Sequence, residues 1–543
     1  MLRAAIALLI CWLFITIALP LWSLLSKSFQ DGDGSFIGFA NYVRYFSTPS
    51  LFGSIFNSLW VAAVTTVIVI PLAFTYAYAL TRSRMPAKGL FYSLALLPLF
   101  APSLLSAISL IYIFGNQGIL KHLLFGGSIY GPLGIIIAQI FYCFPHALII
   151  LVAALALADA RLYEVADALG TKSTRIFRTV TLPGAKYGLI NAAFVVFTLV
   201  VTDFGIAKVI GGQFNVLATD AYKQVIGQQN FSMGAVVGMV LLVPAAVAFF
   251  IDRVMQRRQV ALLSARAVPL EPKPNKARDA ALAAYVIVVG LIVVGVLGVS
   301  MWASFITYWP YNLSLTLKAY EFANAEPLGW GVYYNSVMMA ALTAIIGTAI
   351  VFTGAYVVEK SKVSGRSIAH FFAMLPMAVP GLVLGLGYVF FFNAKWNPLG
   401  ILYGTLLVLV INSVAHFYTV AHITALTALK QIDPEFESVS ASLKVPIWRT
   451  FRRVTVPICM PAILDIAVYM FVNALTTVSA VIFLYGSDTK LAAVAIVHMD
   501  EAGFTAAAAG MATVIVATAL AAKVLHIVLD RVLFMRLQAW RRR

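Results

Sequence analysis

The sequence predicts an all-α polytopic membrane protein of two parallel six-span repeats, with twelve transmembrane helices. Three observations predict it: a composition too apolar for water, twelve apolar stretches of bilayer length, and an internal duplication. Of the 543 residues, 62% are hydrophobic and 11% charged, and the mean hydropathy is +0.92. A soluble domain does not have these values.

A spanning helix needs about 20 mostly apolar residues. The first half places spans near 4–26, 53–80, 89–114, 131–158, 184–210 and 231–251. The second places them near 280–303, 331–358, 367–392, 400–428, 458–484 and 504–529. The opening stretch MLRAAIALLICWLFITIALPLWSLL is similar to a signal peptide. Its apolar run is too long for one and no A-x-A site follows, so it reads as the first span.

Charge tests the count and sets orientation. With both termini in the cytoplasm, the inside segments hold 29 of the 38 Lys and Arg residues, while 8 fall outside and Lys523 lies in the last span. Cytoplasmic loops carry such an excess. The net charge of +17 is therefore that of cations at anionic headgroups, and a nucleic-acid partner is not expected. Cys11, Cys143 and Cys459 lie in or beside apolar stretches without paired spacing. They read as buried inert thiols, with no metal site and no disulfide framework.

The chain divides into a first half (1–255), a charged, proline-rich linker (256–279) and a second half (280–543). Asn57-Ser58 matches Asn335-Ser336, FTYAY (74–78) matches FTGAY (352–356), and LLPLFAP (96–102) matches MLPMAVP (374–380), all at an offset of 278 residues. Each half has an even number of spans, so the repeats insert the same way up, which predicts a pore or cavity at their interface.

A polar interruption also recurs. EVADALGTKSTRIFRTVTLPG begins at Glu164, and SVSASLKVPIWRTFRRVTVP begins at Ser438, an offset of 274. In the first, Leu162, Val165, Ala166 and Leu169 give one apolar face to a short helix over 161–169. Gly170 permits a sharp turn, a second helical stretch covers 173–181, and Pro183 suits a helix start. A short amphipathic helix between spans often lies on the bilayer surface. Recurrence at equivalent places instead suits a partner with two docking sites.

Glu164, Ala166, Gly170, Val180, Leu182 and Pro183 fit the EAA-x3-G-x9-I-x-L-P loop of ABC importer permeases, which the chain resembles over most of both halves. The resemblance implies the type I ABC importer permease fold. It implies that these loops are coupling helices that dock on a separate ATPase subunit, through Glu164, Val165, Ala166, Leu169 and Gly170 in the first and Glu437, Ser438, Val439, Leu443 and Lys444 in the second. The second departs from the pattern: Ser438 holds the glutamate position, Glu437 sits one residue early, and Lys444 holds the glycine position. Either Glu437 substitutes for the missing glutamate or this half couples differently. Lysine enters a left-handed turn less cheaply than glycine.

Other motifs fail. ALGTKST (168–174) lacks the spacing of a phosphate loop, and GLVLGLG (381–387) lies within a span, where Gly381 and Gly385, like Gly234 and Gly238, have helix-packing spacing. No hydrolase motif occurs. The chain reads as a transport subunit without catalytic residues, metal or cofactor, and ATP and Mg would be used by the partner.

Within the spans, Asp203 and its repeat equivalent Thr477, with Thr476 and Ser479, are candidates for a polar translocation path. The resemblance supports this, because the fifth span lines the path in that family. Hydrogen bonding between helices is the plainer alternative for these residues, for Asp465 and Asn191, and for His146, His416 and His422.

The stretches 202–235, 416–446 and 488–503 look like the fused permease of 2-aminoethylphosphonate importers, with the fused ferric-iron permease a close relative. The expectation is an inner-membrane permease, with two copies of an ATPase subunit and one external solute-binding protein. The rival is an ion-driven secondary transporter; TRSRMPAKG (81–89) lacks the major facilitator signature. A receptor or scaffold would need more extramembrane surface.

Overall fold

The computed structural model describes residues 2–261, 268, 270–360, 363–433 and 435–537. Linker positions 262–267 and 269, Lys362 and the tail beyond Leu537 lie outside the described residues.

The first half begins with α1 (Leu2–Leu13), α2 (Leu19–Ser28), α3 (Ala40–Ser47) and α4 (Pro49–Arg82). It continues with α5 (Lys88–Ala95), α6 (Ser103–Phe114), α7 (Pro132–Ala156) and α8 (Ala160–Ala168). Then come α9 (Ser173–Ile176), α10 (Leu182–Gly184), α11 (Lys186–Thr202), α12 (Gly205–Ile210), α13 (Leu217–Tyr222) and α14 (Phe231–Ala261). The second half opens with α15 (Lys276–Ala303), a hairpin of β1 (Ile306–Tyr308) and β2 (Asn312–Leu315), and α16 (Gly331–Lys360). It proceeds through α17 (Arg366–Met374), α18 (Gly381–Phe392), α19 (Leu406–Lys430) and α20 (Glu435–Ser442). It closes with α21 (Ile447–Thr450), α22 (Val456–Ile458), α23 (Met460–Thr476), α24 (Ala492–Glu501) and α25 (Thr505–Leu537).

The duplication is visible residue by residue. α6 and α18 are displaced by 278 positions, and α7 and α19, α9 and α21, and α11 and α23 by 274. The repeated Asn-Ser pair does the same work twice. Asn57 Nδ2 donates to the Asn215 carbonyl at 2.9 Å, and Ser58 Oγ accepts from the Leu217 N–H at 2.8 Å. Asn335 Nδ2 donates to the Asp488 carbonyl at 2.8 Å, and Ser336 Oγ accepts from the Ala492 N–H at 2.7 Å. Each serine thus satisfies a donor at a helix start that has no partner within the helix.

Among the described residues, eight helices are long and apolar enough to cross a membrane, and three bent pairs would make eleven. The stretch at 89–114 is α5 and α6, broken between them. Proline explains the broken third spans. Ala101 and Val379 precede Pro102 and Pro380 and are extended, as residues before proline tend to be. In the second half the chain bends there by 112°. The fifth spans also differ from a continuous helix. They bend by 62° and 77° near their starts, and end at Thr202 and Thr476, short of 210 and 484.

The chain forms two compact units that cross the sequence halves. One holds 1–38, 322–498 and 511–543; the other holds 39–321 and 499–510. In the first unit, Trp12 packs on Tyr418 and Phe14 edge-on to Phe372, while a Cβ at Gly387 would lie 2.7 Å from the Pro20 carbonyl oxygen. In the second, Tyr285 of α15 donates to the Leu72 carbonyl at 2.8 Å and meets Tyr76 edge-on. The first span of each half is thus assigned to the other half's unit. Cys143 and Cys459 are buried as expected, whereas Cys11 is exposed.

Candidate functional site

Both repeated loops fold into a short helix, a left-handed turn and a second helix. In the first, the Thr171 N–H donates to the Ala166 carbonyl at 3.0 Å and Gly170 N–H to Asp167 at 2.9 Å. In the second, Val445 N–H donates to Ser440 at 2.9 Å and Lys444 N–H to Ala441 at 3.0 Å. Both are Schellman closures of a helix C-terminus. Gly170 has φ +65° and Lys444 has φ +55°, so the loop keeps its shape despite the lysine.

These turns present matching apolar side chains. Leu162, Val165 and Leu169 are 59%, 58% and 76% exposed, and their equivalents Phe436, Val439 and Leu443 are 44%, 56% and 70% exposed. Ala166 faces inward and is buried, and Glu164 is exposed. Leu162 and Phe436 complete each triad although they were not counted among the docking residues. Their spacing to Val165 and Val439, and to Leu169 and Leu443, is the signal: three and seven positions fall on one helix face.

Glu437 does not substitute for Glu164. Its repeat equivalent is Tyr163, and its side chain turns inward to pair with Lys360 at 3.1 Å. Ser438 takes the exposed position of Glu164. The first loop is tied to the same place differently: buried Arg82 lies over the Tyr163 ring at 5.4 Å and donates to the Leu155 carbonyl at 2.7 Å, while Tyr163 Oη donates to Thr181 Oγ1 at 3.0 Å. Arg82 and Lys360 each end the second span of their half. Sequence reading counted both only as orienting charges, although their shared 278-residue offset was visible.

In the second loop a cavity of about 640 Å3 opens beside α20, lined by Asp433, Phe436, Val439, Leu443, Arg449 and Arg453 among others.

The polar candidates in the fifth spans stand where those helices stop. Asp203 Oδ2 accepts from Gln139 Nε2 at 3.0 Å and from the Ile206 N–H at 2.9 Å, which starts α12. Thr477 is extended at the end of α23, and Thr476 Oγ1 donates to the Val472 carbonyl at 2.9 Å. Ser479 is half-buried, with its Oγ 2.9 Å from where a Cβ on Gly381 would stand.

Residues 70–260 and 350–534 match the family described as binding-protein-dependent transport system inner membrane component. The ferric transport system permease protein FbpB of Actinobacillus pleuropneumoniae is 27% identical over 525 residues, covering 91% of this chain and 73% of the relative. FbpB 1 of Haemophilus influenzae is 28% identical over 508 residues, covering 90% of this chain and 78% of its own. The spermidine/putrescine transport system permease protein PotB of Haemophilus influenzae is 26% identical over 263 residues, 46% of this chain but 92% of the relative. Just under half of this chain thus matches nearly all of a shorter permease. The chain belongs to the family of binding-protein-dependent inner-membrane transport components, the permeases of ABC importers, and carries the family's domain twice.

Proposed function

We propose that this permease couples ATP hydrolysis by two copies of a separate ATPase subunit to alternating access for a solute delivered by an external binding protein. The observation that carries it is the same exposed apolar triad on the same turn in both halves. Burying one such side chain contributes about 1.5–3 kcal/mol, so each triad is a substantial contact. A helix lying on lipid would be rich in Lys and Arg on its polar face; α8 has Arg161 against Glu164 and Asp167, and α20 has no cation against Glu435 and Glu437, which favours a protein partner. The reading places both loops and both termini in the cytoplasm of a bacterial inner-membrane protein. It assigns the path to Asp203, Thr476, Thr477 and Ser479, where the fifth helices end.

For the solute we propose 2-aminoethylphosphonate, supported by the resemblance over 202–235, 416–446 and 488–503. Ferric iron is the second reading, favoured by the name of a relative matched over 91% of this chain. Uptake of both labelled solutes, with and without the chain, separates them. Loss of phosphonate uptake alone supports the first, and loss of iron uptake alone replaces it. If neither changes, the chain imports another solute and both substrate readings fall.

A further inference from the structure

The two loops share a turn and a triad, but they differ in what lies alongside. Asp159 precedes α8, and its Oδ1 accepts from the Arg161 N–H at 3.1 Å and from the Val268 N–H of the linker at 3.4 Å. The Ala160 N–H donates back to the Val268 carbonyl at 2.9 Å. At the far end of α8, Lys273 Nζ meets Asp167 Oδ2 at 2.7 Å. Arg84 Nε donates to the Pro272 carbonyl at 2.8 Å, and Arg278 Nη2 to the Lys273 carbonyl at 2.6 Å. Val268 therefore sits at the cap of α8 and Lys273 at its last turn, about 12 Å along the helix.

The second loop keeps the aspartate cap, with Asp433 Oδ1 accepting from the Glu435 N–H at 2.9 Å, but the sequence does not keep the other attachment points. At an offset of 274, Asp167 becomes Ala441, and Ala160 becomes Pro434, which has no N–H to donate. Its groove beside Phe436, Val439 and Leu443 is open.

We propose that Val268 and residues 270–273 of the linker are a built-in part of the first ATPase-docking surface, so that the chain offers its two ATPase subunits two different surfaces. This rests on the docking reading above. The first surface is a strapped helix with a cation beside its apolar triad; the second is an open groove. An exposed ion pair contributes little by itself, and Lys273 is 77% exposed. The backbone bonds at Val268 and Pro272 hold the strap, and the pair with Asp167 sets where the ammonium stands. The hydrogen bond and charge of Asp167 raise the Lys273 pKa above its ordinary value.

The test uses the full chain with its ATPase subunit in membranes and reads ATPase retained per permease. Residues 268–273 are replaced by a Gly-Ser stretch of equal length, which keeps the tether and removes the strap. In a Leu443→Asp background, where the first surface carries the partner, retention should fall several-fold. In a Leu169→Asp background, where the second carries it, retention should not change. Equal loss in both backgrounds, or loss in neither, overturns the inference. If Leu169→Asp and Leu443→Asp together fail to release the ATPase, the docking reading itself falls.

Discussion

Lys444 holds a backbone conformation that favours glycine, in the same turn where the first loop has Gly170. A side chain there costs about 1–2 kcal/mol, which the two hydrogen bonds of the closure offset. Nothing lies within 4 Å of a Cβ built on Gly170, so a substitution there meets strain without collision. Gly170→Lys should therefore reduce ATP-coupled uptake only partly, and less than Leu169→Asp does. Lys444→Gly should match or exceed the parent. Uptake per ATP hydrolysed measures all three, and a Gly170→Lys variant as weak as Leu169→Asp would refute the ranking. The turn was legible from Gly170 but not from Lys444, because a small strain at one residue leaves no mark in composition. Glu437 was misleading for a related reason: one residue of displacement rotates a helical side chain by about 100°, from the exposed face to Lys360.

At the scale of elements, apolar length located the eight to eleven candidate spans among the described residues but not their interiors. The prolines of LLPLFAP and MLPMAVP break the third spans, and Asp203 starts a new helix where continued hydrophobicity suggested an unbroken one. Periodicity reports burial and is silent on where a backbone bond is lost. Small residues set how closely these elements approach. A Cβ on Gly188 of α11 would lie 2.2 Å from the Cβ of Ala154 in α7, and one on Gly385 would lie 2.5 Å from the Ala480 carbonyl oxygen. That accords with the packing role expected from the glycine spacing. Overpacking of this kind costs about 1–3 kcal/mol. Gly188→Ala and Gly385→Ala should each lower the melting temperature of the purified permease, whereas Gly295→Ala, in open space, should not. Equal melting of all three would refute the contacts.

For the whole molecule, the duplication was readable because both copies kept their punctuation, the Asn-Ser pair and the paired prolines. The assignment of each first span to the other half's unit was not, since an apolar helix does not encode which apolar neighbour it will meet. Expressed as separate fragments split within 262–267, neither half should accumulate alone at the level reached when both are made together. Equal accumulation of each alone, measured by immunoblot of membranes, would contradict the assignment. The same exchange has a consequence for synthesis. Trp12 and Phe14 leave the ribosome some 360 to 400 residues before Phe372 of α17 and Tyr418 of α19, and at about 5–20 residues per second that is roughly 18–80 s. For that interval Trp12 and Phe14 have lipid where Tyr418 and Phe372 will be, so a newborn chain carries a helix in waiting, open to insertase or quality-control proteins until its second half is translated.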